Sequence, residues 1–194
     1  MKTARLFLAP LALLLSSGAA MAEPANWLKP YLVGSFGSAE VDVNTTPGLK
    51  SDTQDRAYSA GVGLKLGTLT AVELSGTNVG RYTLDGTKVQ ASGFQIGPVV
   101  KLPLNMIYAG EAARELTNLY DKTSLFLRID LTSLTVRPSA GSDERSTQAA
   151  YTFGVEAELD RGFSVRGQFQ RYKTKYSGNT SDIDVFGVAL LKDL

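Results

Sequence analysis

The sequence contains neither cysteine nor histidine among its 194 residues. Without cysteine, disulfide bonds and thiolate metal sites are excluded, so backbone pairing and side-chain packing must hold the fold together. Without histidine, Ser-His-Asp and Cys-His catalysis and the commonest zinc ligand are excluded as well. We therefore expect a protein that is not an enzyme, with no cofactor and no metal site.

The chain also lacks an excess of charge of either sign. Its 20 Lys+Arg residues face 19 Asp+Glu residues, a balance that gives no reason to expect nucleic acid as a partner. After residue 22 there is no apolar run long enough to form a membrane-spanning helix. A basic nucleic-acid-binding domain and a helical membrane protein are therefore disfavoured.

The N-terminal segment has the three parts of a secretory signal peptide. Lys2 and Arg5 provide a positive start, Leu6–Leu15 a short apolar core, and Ala20–Ala22 a small-residue cleavage site. We expect residues 1–22 to be a cleaved signal peptide and residues 23–194 to form a single domain. A retained N-terminal anchor is less consistent with the sequence, because the apolar core is too short to span a membrane.

Eight segments alternate between large apolar residues and small or polar ones, as β-strands do. The segments are residues 30–43, 57–66, 69–82, 88–102, 123–137, 146–159, 163–176 and 183–192. Turn-forming residues separate them, including Gly67-Thr68 and Asp160-Arg161-Gly162. The sequence therefore predicts an all-β domain built mainly from hairpins.

Residues 105–121 interrupt this succession of strands and turns. Apolar residues recur at helical spacing between good helix formers, which predicts a short helix at about 109–119 on the connection between the fourth and fifth strands. The helix is either an elongated turn or a contact with the barrel or the inner leaflet. The alternative, a ninth strand at 106–113, is disfavoured because bacterial single-chain barrels have an even number of strands.

The direction in which the bulky residues point distinguishes a membrane barrel from a soluble one. The small or polar set is rich in glycine and includes Ser59, Gly61, Gly63, Gly93, Gly97 and Gly154. Glycine weakens a water-facing strand but fits the narrow lumen of an eight-stranded barrel. Bulky residues such as Phe94, Ile129 and Phe153 would overfill that lumen, so we expect them to meet lipid. The prediction is a closed eight-stranded antiparallel up-and-down transmembrane β-barrel; a soluble lipocalin-like barrel would need the opposite filling.

Charged residues of both signs fall on the set that faces the lumen. These are Lys65, Glu73, Lys101, Arg128, Asp130, Glu156, Glu158 and Arg166. Buried charges must pair, because an unpaired buried ion costs several kcal/mol, and we predict an interior charge network. The spacing of Glu156 and Glu158 would also suit acid–base hydrolysis, but a substrate could not reach them inside a filled barrel.

Aromatic residues lie towards the ends of the predicted strands. An interfacial girdle, as membrane barrels carry, is the expected role of Trp27, Tyr31, Tyr58, Tyr82 and Tyr151. All five are therefore expected to point outward.

With these features the sequence resembles the small outer-membrane β-barrel family, which includes the transmembrane domain of outer membrane protein A. The resemblance is based on the signal peptide, the eight strands, the tight turns on one side, "AVEL" (Ala71–Leu74) and the closing strand Val185–Leu194. It implies that Glu73, Lys101, Glu156 or Glu158, and Arg166 form the family's interior cluster. Family enzymes, which include the lipid A palmitoyltransferase, the lipid A deacylase and the omptin proteases, rely on a histidine that this chain lacks. The chain ends in Leu194, where a terminal phenylalanine is usual in the assembly signal.

Basic residues gather where the fifth, sixth and seventh predicted strands approach the cell exterior. They are Arg137, Arg145, Arg171, Lys173 and Lys175. We expect them to contact the phosphates of lipopolysaccharide; ordinary snorkelling at the membrane interface is the alternative.

The sequence thus predicts a monomeric protein of the bacterial outer membrane with both termini in the periplasm. The expected role is structural, in envelope integrity or lipopolysaccharide contact, and the alternative is a narrow channel or small-solute conduit. The expected partners are outer-membrane lipid, lipopolysaccharide and the outer-membrane assembly machinery.

Overall fold

The computed structural model describes residues 28–42, 52–84, 86–107, 121–139, 141–176 and 179–194. Eight strands make up almost all of this part of the chain. They are β1 (Leu28–Asp42), β2 (Gln54–Leu66), β3 (Thr70–Leu84), β4 (Thr87–Pro103), β5 (Thr123–Pro138), β6 (Glu144–Glu158), β7 (Phe163–Tyr176) and β8 (Asn179–Asp193). The predicted strands are confirmed to within a few residues at each end.

The strands form a closed barrel. Each pairs antiparallel with its neighbour in the chain, and β8 returns to pair with β1. Closure gives every strand two hydrogen-bonded neighbours, which a sheet in lipid requires. Leu28 and Leu194 lie at the same end, called here the terminus end; the opposite end is the loop end. The prediction of an eight-stranded antiparallel up-and-down barrel is confirmed.

The turn between β6 and β7 shows how short the connections at the terminus end can be. Arg161 and Gly162 have φ values of 62° and 73°, and the N–H of Phe163 donates to the carbonyl oxygen of Asp160. Positive φ at both central residues is the type I′ geometry, whose twist matches that of the strands. The predicted Asp160-Arg161-Gly162 turn is therefore confirmed.

The connection between β4 and β5 begins with a short helix, α1 (Leu104–Ile107). The predicted helix at 109–119 lies outside the described residues, as do the signal peptide and Trp27, and the alternative strand at 106–113 lies largely outside them. Within the described ranges, no helix has the length and apolar character needed to cross a membrane.

In the half of the barrel nearer the terminus end, bulky apolar residues cover the outside. Phe94, Ile129 and Phe153 are exposed on the wall, whereas Glu73 and Arg166 are buried in the lumen. The predicted orientation of the two faces is confirmed. Aromatic contacts continue around this wall, with tilted rings of Phe153, Phe169 and Phe186 at centroid distances of 5.2 and 4.7 Å across β6, β7 and β8.

In the half nearer the loop end, the two faces exchange character. On β5, Leu131 is the last outward-facing apolar residue; beyond it Leu134 and Val136 are buried, while Arg137 is exposed. The same reversal occurs around the barrel and produces an apolar cluster in the lumen: Ala39, Val41, Ala57, Val79, Tyr82, Val89, Ala91, Leu134, Val136, Ala150, Tyr172, Ile183 and Val185. The expectation of a lumen filled only by small and charged residues is therefore wrong for this half. It is also incomplete for the half nearer the terminus end, where a smaller apolar cluster that includes Val99, Phe126 and Leu191 is buried beside the charged residues.

The reversal explains the lengths of the strands. They contain between 13 and 17 residues, whereas crossing a bilayer requires about 9–11. An apolar exterior suits lipid, and a polar exterior over an apolar interior suits water. We call the half that extends past the apolar band the protruding half.

Two of the predicted girdle aromatics point into the lumen instead. Tyr31 is buried with its ring against Gly63, where a Cβ atom would overlap it. On β3 the register shifts between Asn78 and Gly80, and this bulge turns Tyr82 inward, where its hydroxyl donates to the carbonyl of Val79. Tyr58 and Tyr151 are exposed on the outer wall as expected.

Candidate functional site

A fully buried arginine organises the lumen of the membrane-facing half. Arg166 donates to Glu73 through Nη1 and to Glu156 through Nε, both at 2.6 Å. Arg128 pairs with the second oxygen of Glu73, and Lys101 pairs with Glu156. These side chains come from β3 to β7, so the ion pairs join strands on different sides of the lumen.

Neighbouring groups complete this lumen cluster. The hydroxyl of Tyr31 donates to Glu73 at 2.6 Å, and Nε of Arg128 lies 2.7 Å from Oδ2 of Asp130. The guanidinium of Arg166 also lies 4.7 Å from the ring centre of Phe126, a cation–π distance. The cations Lys101, Arg128 and Arg166 thus balance the carboxylates of Glu73, Asp130 and Glu156, and the cluster is neutral as a whole.

The structure brings together six of the eight residues predicted for the interior network. Lys65 is half-buried and pairs separately with Asp193 at 2.7 Å, a partner that the sequence analysis missed. Glu158 is exposed, and its predicted place in the network is wrong: it is the last residue of β6, where the strand leaves the filled part of the lumen. Tyr31 was also missed, because β1 carries large residues on both faces.

The predicted basic group is divided on the outer wall of the protruding half. Arg137 and Arg145 are exposed on β5 and β6; Nε of Arg145 donates to Ser133 at 2.8 Å, and Arg137 lies 3.4 Å from Asp143. Arg171, on β7, is engaged by both carboxylate oxygens of Asp184, each at 2.6 Å.

The other two members of that group lie on the same strand as Arg171. Lys173 is exposed opposite Asp182 in the ladder. The side chain of Lys175 lies outside the described residues.

Three further cations were missed on the neighbouring strands. Arg56, Arg81 and Lys88 are exposed on β2, β3 and β4. Arg56 was assigned to a loop because β2 begins earlier than predicted, and Arg81 points outward because of the bulge in β3. With Arg137 and Arg145 they form a basic sector on the outer wall of β2 to β6.

An acidic group occupies the other side of the same wall. Glu40 and Asp42 on β1 lie directly opposite Asp184 and Asp182 on β8. All four belong to the alternate set of positions that faces outward. Because β4 is diametrically across the barrel from β8, the basic sector faces away from this acidic group. On the acidic side, Arg171 and Lys173 of β7 partly offset the carboxylates, so the outer wall of the protruding half is more favourable to anions at the basic sector.

A groove of about 570 Å³ lies in the wall within the basic sector. Tyr58 and Phe94 flank it, small residues form its floor, and Arg137 and Arg145 stand at its edge. The complete lining is Tyr58, Ala60, Gly76, Thr77, Asn78, Ser92, Gly93, Phe94, Ser133, Thr135, Arg137 and Arg145. The groove lies where the apolar band ends and the polar wall of the protruding half begins.

Closed topology, a lipid-facing band and a filled lumen define an integral membrane β-barrel. The sequence matches the model of the outer membrane protein beta-barrel domain over residues 9–190. The chain therefore belongs to this family of outer-membrane barrels, and membership supports a location in the bacterial outer membrane.

Solved structures give the same fold at low sequence identity. Neisserial surface protein A has 9% identity and a TM-score of 0.55, with 85% of this chain and 97% of that chain covered. The attachment invasion locus protein Ail of Yersinia pestis has 14% identity and a TM-score of 0.49, with 86% and 99% covered. No protein of curated function matches the sequence significantly. The likeness to Neisserial surface protein A shows the fold alone.

Proposed function

We propose that the protein is a non-enzymatic, monomeric barrel of the outer membrane that supports the envelope by contacting lipopolysaccharide through its basic sector. The assembly machinery would insert it with the terminus end in the periplasm and the protruding half outside the bilayer. The observation that carries the proposal is the place of the basic sector, immediately beyond the lipid-facing band.

Depth along the strand supports this contact. Arg56 lies two residues before Tyr58 on the same face of β2, on the side of the loop end, which is about 7 Å along a strand. Phosphate groups of the outer leaflet lie just beyond the hydrocarbon, and a guanidinium can bind phosphate with two parallel hydrogen bonds. Within the described part of the chain, Arg56, Arg81 and Lys88 make no ion pair, so their charges are available to a ligand.

The filled lumen favours this role over a solute conduit or an enzyme. The membrane-facing half holds the lumen cluster, whose carboxylates are engaged by Lys101, Arg128 and Arg166. The protruding half holds packed apolar side chains such as Leu134 and Ile183. Among the described residues, packed side chains thus occupy both halves of the lumen, and the carboxylates of the lumen cluster are committed to ion pairs.

The test is lipopolysaccharide retention by the purified, folded chain in nanodiscs that contain rough lipopolysaccharide. Replacing Arg137 and Arg145 with glutamine should weaken retention by at least about tenfold, or 1.4 kcal/mol, because the two cations that line the groove are removed. Arg171→Gln is the matched control, since Asp184 already engages that guanidinium.

In cells, the double variant should also admit hydrophobic antibiotics more readily than the control variant. If the double variant and Arg171→Gln retain lipopolysaccharide equally well at 0.15 M salt, the basic sector is not the contact surface.

A further inference from the structure

We infer that the groove in the outer wall is a binding site for one phosphorylated sugar headgroup of lipopolysaccharide. This inference rests on the proposed function and sharpens it, because a basic sector alone would give only diffuse electrostatic contact. A shaped groove would hold a single lipid in one orientation.

The volume of the groove suits such an occupant. At about 570 Å³ it has room for a sugar-sized group, and it is open to the outer wall rather than enclosed. Small residues create the space: Ala60, Gly76 and Ser92 lie where neighbouring outward positions carry bulky side chains. The groove is thus a local interruption of the apolar band.

The lining has the chemistry of a sugar site with a phosphate at its edge. Tyr58 and Phe94 present exposed rings on which a pyranose face can stack, and the amide of Asn78 donates to the hydroxyl of Tyr58 at 2.9 Å, which fixes both groups. Ser92, Ser133 and Thr135 add hydroxyls within the same groove. Such groups can hydrogen-bond sugar hydroxyls in either direction.

The positive charges around the groove favour an anionic sugar as its ligand. Ser133 accepts a hydrogen bond from Nε of Arg145, which holds the guanidinium beside the groove. Among the described residues, Arg137 makes an exposed contact with Asp143 at 3.4 Å. Arg56, Arg81 and Lys88 surround the loop-end side, whereas the acidic group of β1 and β8 lies across the barrel. Phosphate is therefore favoured at this edge of the groove.

The position of the groove also matches an amphiphile. Ala60 and Gly76 lie on the side of the apolar band, and Thr135 and Arg137 lie on the side of the protruding half. A headgroup seated here can send its acyl chains along the wall below Phe94 and its outer sugars towards the loops. The occupant is therefore a membrane-embedded lipopolysaccharide rather than a free sugar phosphate.

Filling the groove while leaving every charge in place tests this inference. A Cβ atom at Gly76 would lie 3.6 Å from Cε1 of Phe94, an ordinary contact, so the backbone accepts a side chain there. Gly76→Leu and Ser92→Leu therefore obstruct the groove. Gly167→Leu is the matched control, because Gly167 is exposed on β7 and a Cβ atom there meets nothing within 4 Å.

The measurement is native mass spectrometry of the full folded chain after extraction from nanodiscs that contain rough lipopolysaccharide. Wild type and Gly167→Leu should retain one lipopolysaccharide molecule, and the groove-filling variants should retain it at least about tenfold more weakly. Nanodiscs with dephosphorylated lipid A should give weak retention by all variants. Inorganic phosphate at about a tenfold molar excess over the lipid should not displace the bound molecule.

These experiments distinguish failure of the groove inference from failure of the proposed function. If the groove-filling variants bind as wild type does while Arg137→Gln with Arg145→Gln binds weakly, the groove inference is overturned and the basic sector still contacts lipopolysaccharide diffusely. If neither set of variants changes retention, the proposed function itself is overturned. Competition by inorganic phosphate alone would show a free-anion site and would also overturn the inference.

Discussion

The two halves of this barrel are built on opposite principles. In the half that faces the membrane, apolar side chains such as Leu127 and Phe153 point outward and the lumen contains the charged cluster around Arg166. In the protruding half, apolar side chains such as Leu134 point inward and the wall carries charge. The same strands run through both halves, so the exchange of faces falls at the edge of the apolar band.

In each half, the alternate set of residues that is apolar indicates whether the outer wall of the strand meets lipid or water. A reversal within a single strand locates the edge of the bilayer more directly than strand length does. It also places the groove and the basic sector at that edge, which is the depth at which lipid headgroups lie.

The largest expected effect comes from breaking the cluster of the membrane-facing half. Glu73→Ala should lower the free energy of unfolding by about 3–5 kcal/mol, because it leaves buried positive charge on Arg128 and Arg166 without its partner. Urea titration of the chain folded in lipid vesicles measures this loss. Glu40→Ala, on the exposed wall of β1, is the control and should change stability by less than about 0.5 kcal/mol. Equal effects of the two substitutions would show that the cluster does not stabilise the barrel.

An arginine introduced on the outer wall of each half should locate the boundary between the membrane-facing half and the protruding half. Leu127→Arg should destabilise the barrel by about 2–4 kcal/mol, because position 127 faces the hydrocarbon. Thr135→Arg, on the same face of the same strand, should have little effect, since position 135 lies on the protruding half. The same unfolding titration compares them. A loss at position 135 as large as that at position 127 would mean that the bilayer covers both halves.

A smaller effect is expected from the hydroxyl that completes the cluster. Tyr31→Phe should cost about 1.5–3 kcal/mol, the usual range for a hydrogen bond to a charged group, because Tyr31 donates to buried Glu73 at 2.6 Å. Tyr58→Phe removes an exposed hydroxyl that accepts from Asn78 and should cost less. If Tyr31→Phe were neutral in the same titration, Glu73 would not depend on this donor.

The fold could be predicted from the sequence because period-two alternation is strong where one face meets lipid. Phe94, Ile129 and Phe153 were placed correctly for this reason, and the six charges of the lumen cluster followed from the same alternation. The prediction of a lumen filled by small and charged residues failed most clearly in the protruding half, where alternation persists but the apolar set changes face. It also missed the smaller apolar cluster around Phe126 in the membrane-facing half.

Other features depend on information that alternation does not contain. The bulge at Gly80 reverses the faces of β3, so Arg81 and Tyr82 could not be assigned by counting residues. The pairing of Arg171 with Asp184 depends on the register between β7 and β8. The groove arises from small residues on adjacent strands, which become neighbours only after the sheet is in register.

Single-channel recording of the folded chain in planar bilayers tests most directly the claim that packing closes the lumen and leaves function to the outer wall. The account predicts no steady openings for the wild-type protein, because ion pairs fill one half of the lumen and apolar side chains such as Leu134 fill the other. Steady wild-type openings that widen on Glu73→Ala or Arg166→Ala would contradict it and would identify the protein as a conduit.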